Sequence, residues 1–399
     1  MKKIFILAAL LLGLQITSTA DLIKFTLSQG GTDNLFQNRY TATDYVTSPG
    51  LYLDKDLGRF SLFADGGFHF LSNNPELSNF TQELGADFIQ PTGEKSALYF
   101  SIAGRGSLYR KDYDDFNFLA ITLYSAFKSY LSPTSIFQAN YSLENKSFAA
   151  SGFDFISHAV VASFDQYFPS RTTLKGELNW GLKHFLHPFQ ETGTDTPANG
   201  LYTRSVLGMG PGSSQGGQGG HGSGRMNSYF QETELSNAVI QIFSAGGLIA
   251  QGLTDSIGLR IAGLKQWNLS GNNPFTEIVE YYLVENPSSD RFSWAGWQIE
   301  GQITALLPWN IQLKLGYTES DKTFPGIESL DLEGFSLGQI RRDQRSVWRA
   351  DLVKNFPRLS IYLSYQLILN RSNDLYYQWN GNFLSAGIEW NHFFGNKNE

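Results

Sequence analysis

Apolar and polar residues alternate with a period of two through most of this chain, and the alternation comes in blocks. In Arg171–Leu186, Leu174, Gly176, Leu178, Trp180, Leu182 and Leu186 fall on one face, and Lys175, Glu177, Asn179 and Lys183 on the other. The same dyad runs through Trp297, Ile299, Gly301, Ile303, Ala305 and Leu307 against Gln298, Glu300, Gln302 and Thr304. It recurs in Ile311, Leu313, Leu315 and Tyr317 against Gln312, Lys314 and Thr318. A period of two puts successive side chains on opposite faces of a strand. One strand alone does not separate a sandwich with one wet face from a barrel with one greasy face.

Length and spacing separate them. Blocks such as Tyr113–Tyr130, Gly152–Phe168, Arg171–Leu186 and Asp290–Leu307 outrun the five or six residues usual in globular sheets. A membrane-crossing strand needs about ten residues within the hydrocarbon. The gaps alternate short and long. Short ones lie around Lys55–Gly58, Pro91–Ser96, Ser132-Pro133, Pro169-Ser170, Gln251–Asp255, Pro308-Trp309 and Asn355–Pro357, most of them marked by proline, which cannot extend a ladder. Long ones lie around Gly31–Tyr45, Ser72–Ser78, Lys111–Asp115, Lys146–Ser151, His187–Thr233, Ser270–Asp290, Asp321–Arg342 and Ser372–Gln378. Tight periplasmic turns and long outer loops give this two-valued spacing. The pattern predicts an all-β protein, a transmembrane antiparallel up-and-down β-barrel of about sixteen strands (14–18), with both termini periplasmic.

The ends fit an exported chain. Lys2 and Lys3, the apolar run Ile4–Leu14 and the small residues Ser18-Thr19-Ala20 read as a cleavable signal peptide over residues 1–20. The barrel then occupies 21–394, with a short tail over 395–399. No stretch has the roughly eighteen consecutive apolar residues of a membrane helix. There is no cysteine, so neither a disulfide nor a lipid attachment of the lipoprotein type is available. Removing the signal leaves 28 Lys+Arg against 37 Asp+Glu, a formal charge of −9, which argues against a nucleic-acid partner. Aromatic residues make up 15% of the chain, with 19 Tyr and 8 Trp, enough to furnish girdles at both edges of a bilayer.

The last block puts Leu384, Ala386, Ile388, Trp390 and Phe394 on one face and Ser385, Gly387, Glu389 and Asn391 on the other. This resembles the C-terminal targeting signal of outer-membrane barrels, with Gly395–Glu399 following the final aromatic. Two further stretches, Gly31-Thr32-Asp33-Asn34-Leu35-Phe36 and Asn370-Arg371-Ser372-Asn373-Asp374 with Tyr376 and Tyr377, resemble loops of barrels that accompany exopolysaccharide or surface-protein export. The resemblance covers a few dozen residues. It implies an export or assembly role with periplasmic partners, although no helical repeat precedes the barrel here.

Candidate chemistry is sparse. Of His69, His158, His184, His187, His221 and His392, only His184 and His187 are close in sequence, and a spacing of three in a strand points them to opposite faces. Ser157 and His158 are neighbours and diverge in the same way. The segment Gly208–Gly224 is glycine-rich but lacks the Lys-Ser/Thr of a phosphate loop and precedes no helix. It belongs to the longest outer loop, His187–Thr233, which either folds inward as a constriction or stands in solvent. Asp112, Asp114 and Asp115 form an acidic outer turn whose simplest reading is a solvated one, with calcium bridging to lipopolysaccharide phosphates as the alternative.

The polar faces of the strands hold the most informative residues. With Trp348, Ala350 and Leu352 turned to lipid, Arg345, Arg349 and Asp351 point into the lumen, together with Lys175, Glu177, Lys183, Arg260, Glu300, Lys314 and Glu389. Both signs are present. Such a lining makes either a pore with a transverse field or interior salt bridges that close a plug. Sixteen strands leave a water-filled bore where eight would be filled by side chains. The expectation is therefore a porin-like channel for passive diffusion of small hydrophilic solutes, without cofactor, metal or catalytic residue. The surroundings expected for it are outer-membrane lipid and lipopolysaccharide, the barrel-assembly machinery, and a homo-oligomeric or periplasmic export partner. An accessory export barrel is the alternative, with a barrel hydrolase and an adhesion anchor behind it.

Overall fold

The computed structural model describes residues 20–149, 153–186, 239–272, 290–333 and 335–394. The expected signal segment up to residue 19, the whole of the loop His187–Thr233 and the tail 395–399 lie outside these. Sixteen strands are β1 (Leu22–Thr32), β2 (Asp44–Asp56), β3 (Phe60–Leu71), β4 (Asn79–Pro91), β5 (Ser96–Tyr109), β6 (Phe118–Ser132), β7 (Ser135–Phe148) and β8 (Phe155–Phe168), continued by β9 (Thr172–Phe185), β10 (Val239–Gly252), β11 (Ile257–Ser270), β12 (Ala295–Leu307), β13 (Ile311–Leu330), β14 (Ser336–Asn355), β15 (Leu359–Ser372) and β16 (Trp379–Phe393). Each pairs antiparallel with its sequence neighbours, and β1 pairs with β16, so the sheet closes on itself.

The expected face alternation is present. Leu174, Leu178 and Trp180 on β9, Ile361, Leu363 and Tyr365 on β15, and Leu384 and Trp390 on β16 are all exposed, with no protein packed over them. Such residues recur all round the ring, an apolar belt far larger than a soluble monomer shows, and lipid is the solvent that suits it. The polar register faces inward.

All seven short turns fall where sequence placed them, and the described chain ends meet at that same end: Phe394 N donates to Asp21 O at 2.9 Å. The Asp21 carboxylate accepts from Lys55 Nζ at 2.9 Å and from the Asp56 amide at 2.9 Å. These donors, Lys55 foremost, hold its pKa below the ordinary aspartate value of 3.8.

Three boundaries differ from the sequence reading. β6 starts at Phe118, because Lys111–Phe116 forms a 3-10 turn. β12 starts at Ala295: Asp290 to Trp294 leave the wall and fold inward, burying Phe292, Ser293 and Trp294. Gly296, with φ of 151°, makes that departure possible, since a Cβ there would lie 1.9 Å from the Asp321 carbonyl.

The third difference is the largest. Asp321–Arg342 reads as a loop, yet β13 and β14 each run 20 residues and only residues 331–335 connect them. A register shift between Thr323 and Glu328 accommodates Pro325, which has no amide proton to give the ladder. Just before it Arg342 Nε donates to Asp321 at 2.7 Å, and beyond it Ser329 Oγ donates to Gln339 O at 3.0 Å.

Inside the wall, rings cover glycines. Tyr362 is registered opposite Gly387, and a Cβ at Gly387 would sit 2.4 Å from the Tyr362 oxygen and 2.7 Å from the Leu27 carbonyl. Gly387→Ala should therefore cost about 1–3 kcal/mol of folding stability. Gly176→Ala is the control, because a Cβ there meets nothing within 4 Å. Urea unfolding in lipid vesicles should separate the two variants by a lower midpoint for the first. For Asp21 the lowered pKa means that its stabilisation is fully present above the ordinary carboxylate value and lost as pH falls through the folded value. The stability gap between the wild type and Asp21→Asn should be flat from about pH 5 to 8 and should shrink only below the ordinary value of 3.8.

Candidate functional site

The ten charged residues singled out from sequence all lie on the inward register: Lys175, Glu177 and Lys183 on β9, Arg260 on β11, Glu300 on β12, Lys314 on β13, Arg345, Arg349 and Asp351 on β14, and Glu389 on β16. They divide by height along the barrel.

Towards the turn end the inner wall is wet. Arg349 faces inward yet keeps 56% of its side chain accessible, which places solvent inside the ring at its level. Its Nε lies 2.7 Å from Asp351, whose other oxygen accepts from Ser364 Oγ at 2.6 Å. Arg260 Nη1 meets Glu300 at 2.9 Å, Lys175 meets Glu177 at 3.0 Å, and Lys24 lies 3.9 Å from Glu389. Lys314 is registered opposite Asp351. Half-exposed pairs of this kind hold side chains in place more than they stabilise the fold.

The inner charges are sorted by sector. Asp54, Asp65, Glu83 and Asp87 share the inward register of β2, β3 and β4. Across the closing seam, β11 to β14 carry Arg260, Lys314, Lys322, Arg341, Arg345 and Arg349 against Glu300, Asp343 and Asp351. One sector is acidic and the other net basic, so the charge is spread unevenly round the bore. Sequence reading missed the acidic sector. Its signal was the dyad Asp54, Leu53, Tyr52 and Leu51 on β2 with Asp65 and Asp87 on the next two strands, and only the register shows that these meet.

Towards the loop end the interior is packed. Phe116, Phe153 and Phe292 from connecting segments join Phe118, Phe148, Phe155, Phe185, Ile240 and Ile242 of the wall in one buried cluster. Two lysines are sealed within it. The Lys183 side chain is 1% exposed; its Nζ lies 2.6 Å from Asp290 and stands 4.1 Å from the ring centre of Phe155 and 4.7 Å from that of Phe185. Lys146 Nζ, also at 1%, lies 3.2 Å from Glu144 and 4.8 Å from the Phe118 ring. Each ammonium has a counter-charge and ring faces where water would be, the arrangement a buried cation requires. Lys183 is thus inward but enclosed. Arg345 is partly so: Nη2 donates to Gln37 at 2.9 Å, and the guanidinium lies 5.3 Å from the Trp379 ring.

Other loops are pinned to the same end. The fully buried Asp44 carboxylate accepts from the amides of Ser72, Asn73 and Asn74 at 2.9–3.0 Å, which fixes the β3–β4 connection over Leu35, Val46, Leu71 and Leu77. At the closing seam each of the two stretches that resemble export barrels contacts residues close to the other in sequence. Asn38 Nδ2 donates to Tyr376 Oη at 2.8 Å, Arg39 N to Tyr376 O at 2.8 Å, and Asn382 binds Asp33 through both its amide groups at 2.7 Å.

The candidate reaction chemistry does not assemble. Ser157 is buried on the inner face while His158 sits on the outer face, 2.8 Å from Tyr141 Oη. His184 faces outward, and His187, His221 and the segment Gly208–Gly224 lie outside the described residues, as does the Asp112 side chain. Among the described residues no group of three or more metal-ligating side chains is placed to hold an ion.

Solved structures share this architecture. OccAB1 of Acinetobacter baumannii aligns over 94% of this chain and 96% of its own, at 8% identity and a TM-score of 0.52. OccAB4 of the same organism aligns over 94% and 99%, at 9% identity and a TM-score of 0.51. At identities so low the likeness is one of fold, a closed β-barrel. No family model and no curated protein sequence matches the chain.

The Lys183–Asp290 pair should anchor the inward-folded segment. In Asp290→Asn the buried ammonium loses this counter-charge, a loss of up to about 3 kcal/mol. Trypsin should then cut after Arg291 in the variant and spare that bond in the wild type, as read by mass spectrometry of the digested, detergent-folded protein.

Proposed function

We propose that this protein is an outer-membrane channel through which small hydrophilic solutes diffuse passively, with the turn end and both chain ends in the periplasm. The inward yet solvent-open Arg349, set in a closed ring whose outside is apolar, is the observation that carries this reading. A wet, charged interior inside a greasy wall is what permeation needs, and no reaction chemistry is required of it. The two barrels of like fold, OccAB1 and OccAB4, are outer-membrane channels, which agrees with the reading.

Selection follows from the arrangement of charge. A solute in the bore meets an acidic sector on β2 to β4 and a net basic one on β13 and β14, and dipolar or charged solutes align between them. The cluster at the loop end narrows the path, so the route passes between the aromatic packing around Lys183 and the opposite wall. The pairs near the turn end keep the charged heads at fixed heights, which makes the field a property of the wall and not of mobile side chains.

Purified protein in planar bilayers should conduct in discrete steps. Arg349→Glu should shift the reversal potential in a salt gradient towards cation preference, and Asp87→Lys on the acidic sector should shift it the other way. A folded protein that stays silent at every voltage would overturn the channel reading. Equal reversal potentials for wild type and both variants would remove these residues from the path.

A further inference from the structure

The lipid-facing register of β15 carries Ile361, Leu363, Tyr365, Leu367 and Leu369, and then changes character at Arg371. From Leu359 to Leu369 is about 33 Å along the strand, which at a tilt of about 40° spans about 25 Å of bilayer, the height of an outer-membrane apolar band. Arg371 is therefore the first outward residue at headgroup level. It borders a cavity of about 500 Å³ that also takes in Arg39 from the β1–β2 connection, the amides of Gln378 and Asn380, and the side chains of Leu369 and Leu375. Leu369 and Asn380 are direct cross-strand partners on the outward face, so the cavity opens on the outside of the barrel, not into the bore.

The two arginines distinguish this place from the rest of the rim. Nearby Arg342 is paired with Asp321, and Arg341 with Asp343. Among the described residues no carboxylate pairs with Arg39 or Arg371, and none of the residues lining the cavity is acidic. The Arg39 amide donates to Tyr376 O at 2.8 Å, so the seam fixes the backbone from which this side chain reaches the cavity. Two guanidinium groups, two amides and an apolar floor match a phosphomonoester that carries acyl chains.

We propose that this cavity binds the phosphorylated headgroup of an outer-leaflet lipid, with Arg39 and Arg371 on the phosphate and Leu369 and Leu375 beside the first methylenes. The site lies on the outer wall and stands apart from permeation, so it survives or falls independently of the channel reading. Binding there ties the first and last strands to one lipid at the point where the ring closes.

The test uses full-length folded protein in nanodiscs of phosphatidylcholine doped with lipid A bearing its phosphates, or with the same lipid A after enzymatic removal of the phosphates. Native mass spectrometry then counts the lipid retained. The wild type should retain the phosphorylated form roughly tenfold or more over the dephosphorylated one. Arg39→Gln with Arg371→Gln should bring the two forms to parity, while Arg371→Lys should keep part of the preference, and migration of the unheated protein on a gel confirms folding of each variant. Inorganic phosphate in excess should leave retention unchanged. Equal retention of both lipids by the wild type, an unchanged preference in the double variant, or displacement by inorganic phosphate alone would each overturn the proposal.

Discussion

Backbone hydrogen bonding without water is the constraint from which this structure follows. In the hydrocarbon every amide and carbonyl has to find a partner inside the chain, and a sheet meets that demand only when its first and last strands join. The pairing of Leu22–Thr32 with Phe383–Phe393 does this, and it decides the rest. Once the ring closes, side chains have two destinations, and residue type sorts between them. The outward register is free to be apolar without a partner. The inward register has room for charge, because a ring of sixteen strands is too wide for side chains to fill.

The interior is then divided between water and packing. Near the turns, Arg349 and its neighbours remain wet and pair loosely. Near the loops, chain segments return into the bore and bring Phe116, Phe153 and Phe292 with them, and the lysines caught there are neutralised by carboxylates and ring faces. Two lysines on the inward register of one strand, Lys175 and Lys183, thus have different surroundings although their sequence contexts look alike. Position along the strand, and what the loops do above it, makes the difference.

Most of the fold was legible because a strand in lipid writes its period into the sequence. Leu174, Leu178 and Trp180 announce a lipid face, and proline at Pro133, Pro169, Pro308 and Pro357 announces turns. The reading failed where the outward face stops being apolar. From Glu319 to Thr323 and from Arg341 to Gln344 both faces are polar, lipid no longer dictates the alternation, and a ladder held by Arg342 and Asp321 looks like loop. It also failed for Asp290–Trp294, where Phe292 and Trp294 alternate with Arg291 and Ser293 like a strand although their phase is opposite to that of Trp297 and Ile299 and the chain has left the wall. The site was half legible: the inward charges follow from parity alone, whereas the grouping of an acidic sector and a basic one depends on ring geometry, and the enclosure of Lys183 depends on contacts distant in sequence.

The long β13–β14 hairpin has a mechanical meaning. β14 runs unbroken from Ser336 at its tip to Asn355 at the opposite rim, and the same rod carries Arg345, Arg349 and Asp351. A hydrogen-bonded ladder has little slack, unlike a floppy loop, which absorbs a push within itself. The tip beyond the rim and the guanidinium groups of the bore therefore share one continuous strand, whose pairing with β13 is interrupted only by the register shifts between Thr323 and Leu330.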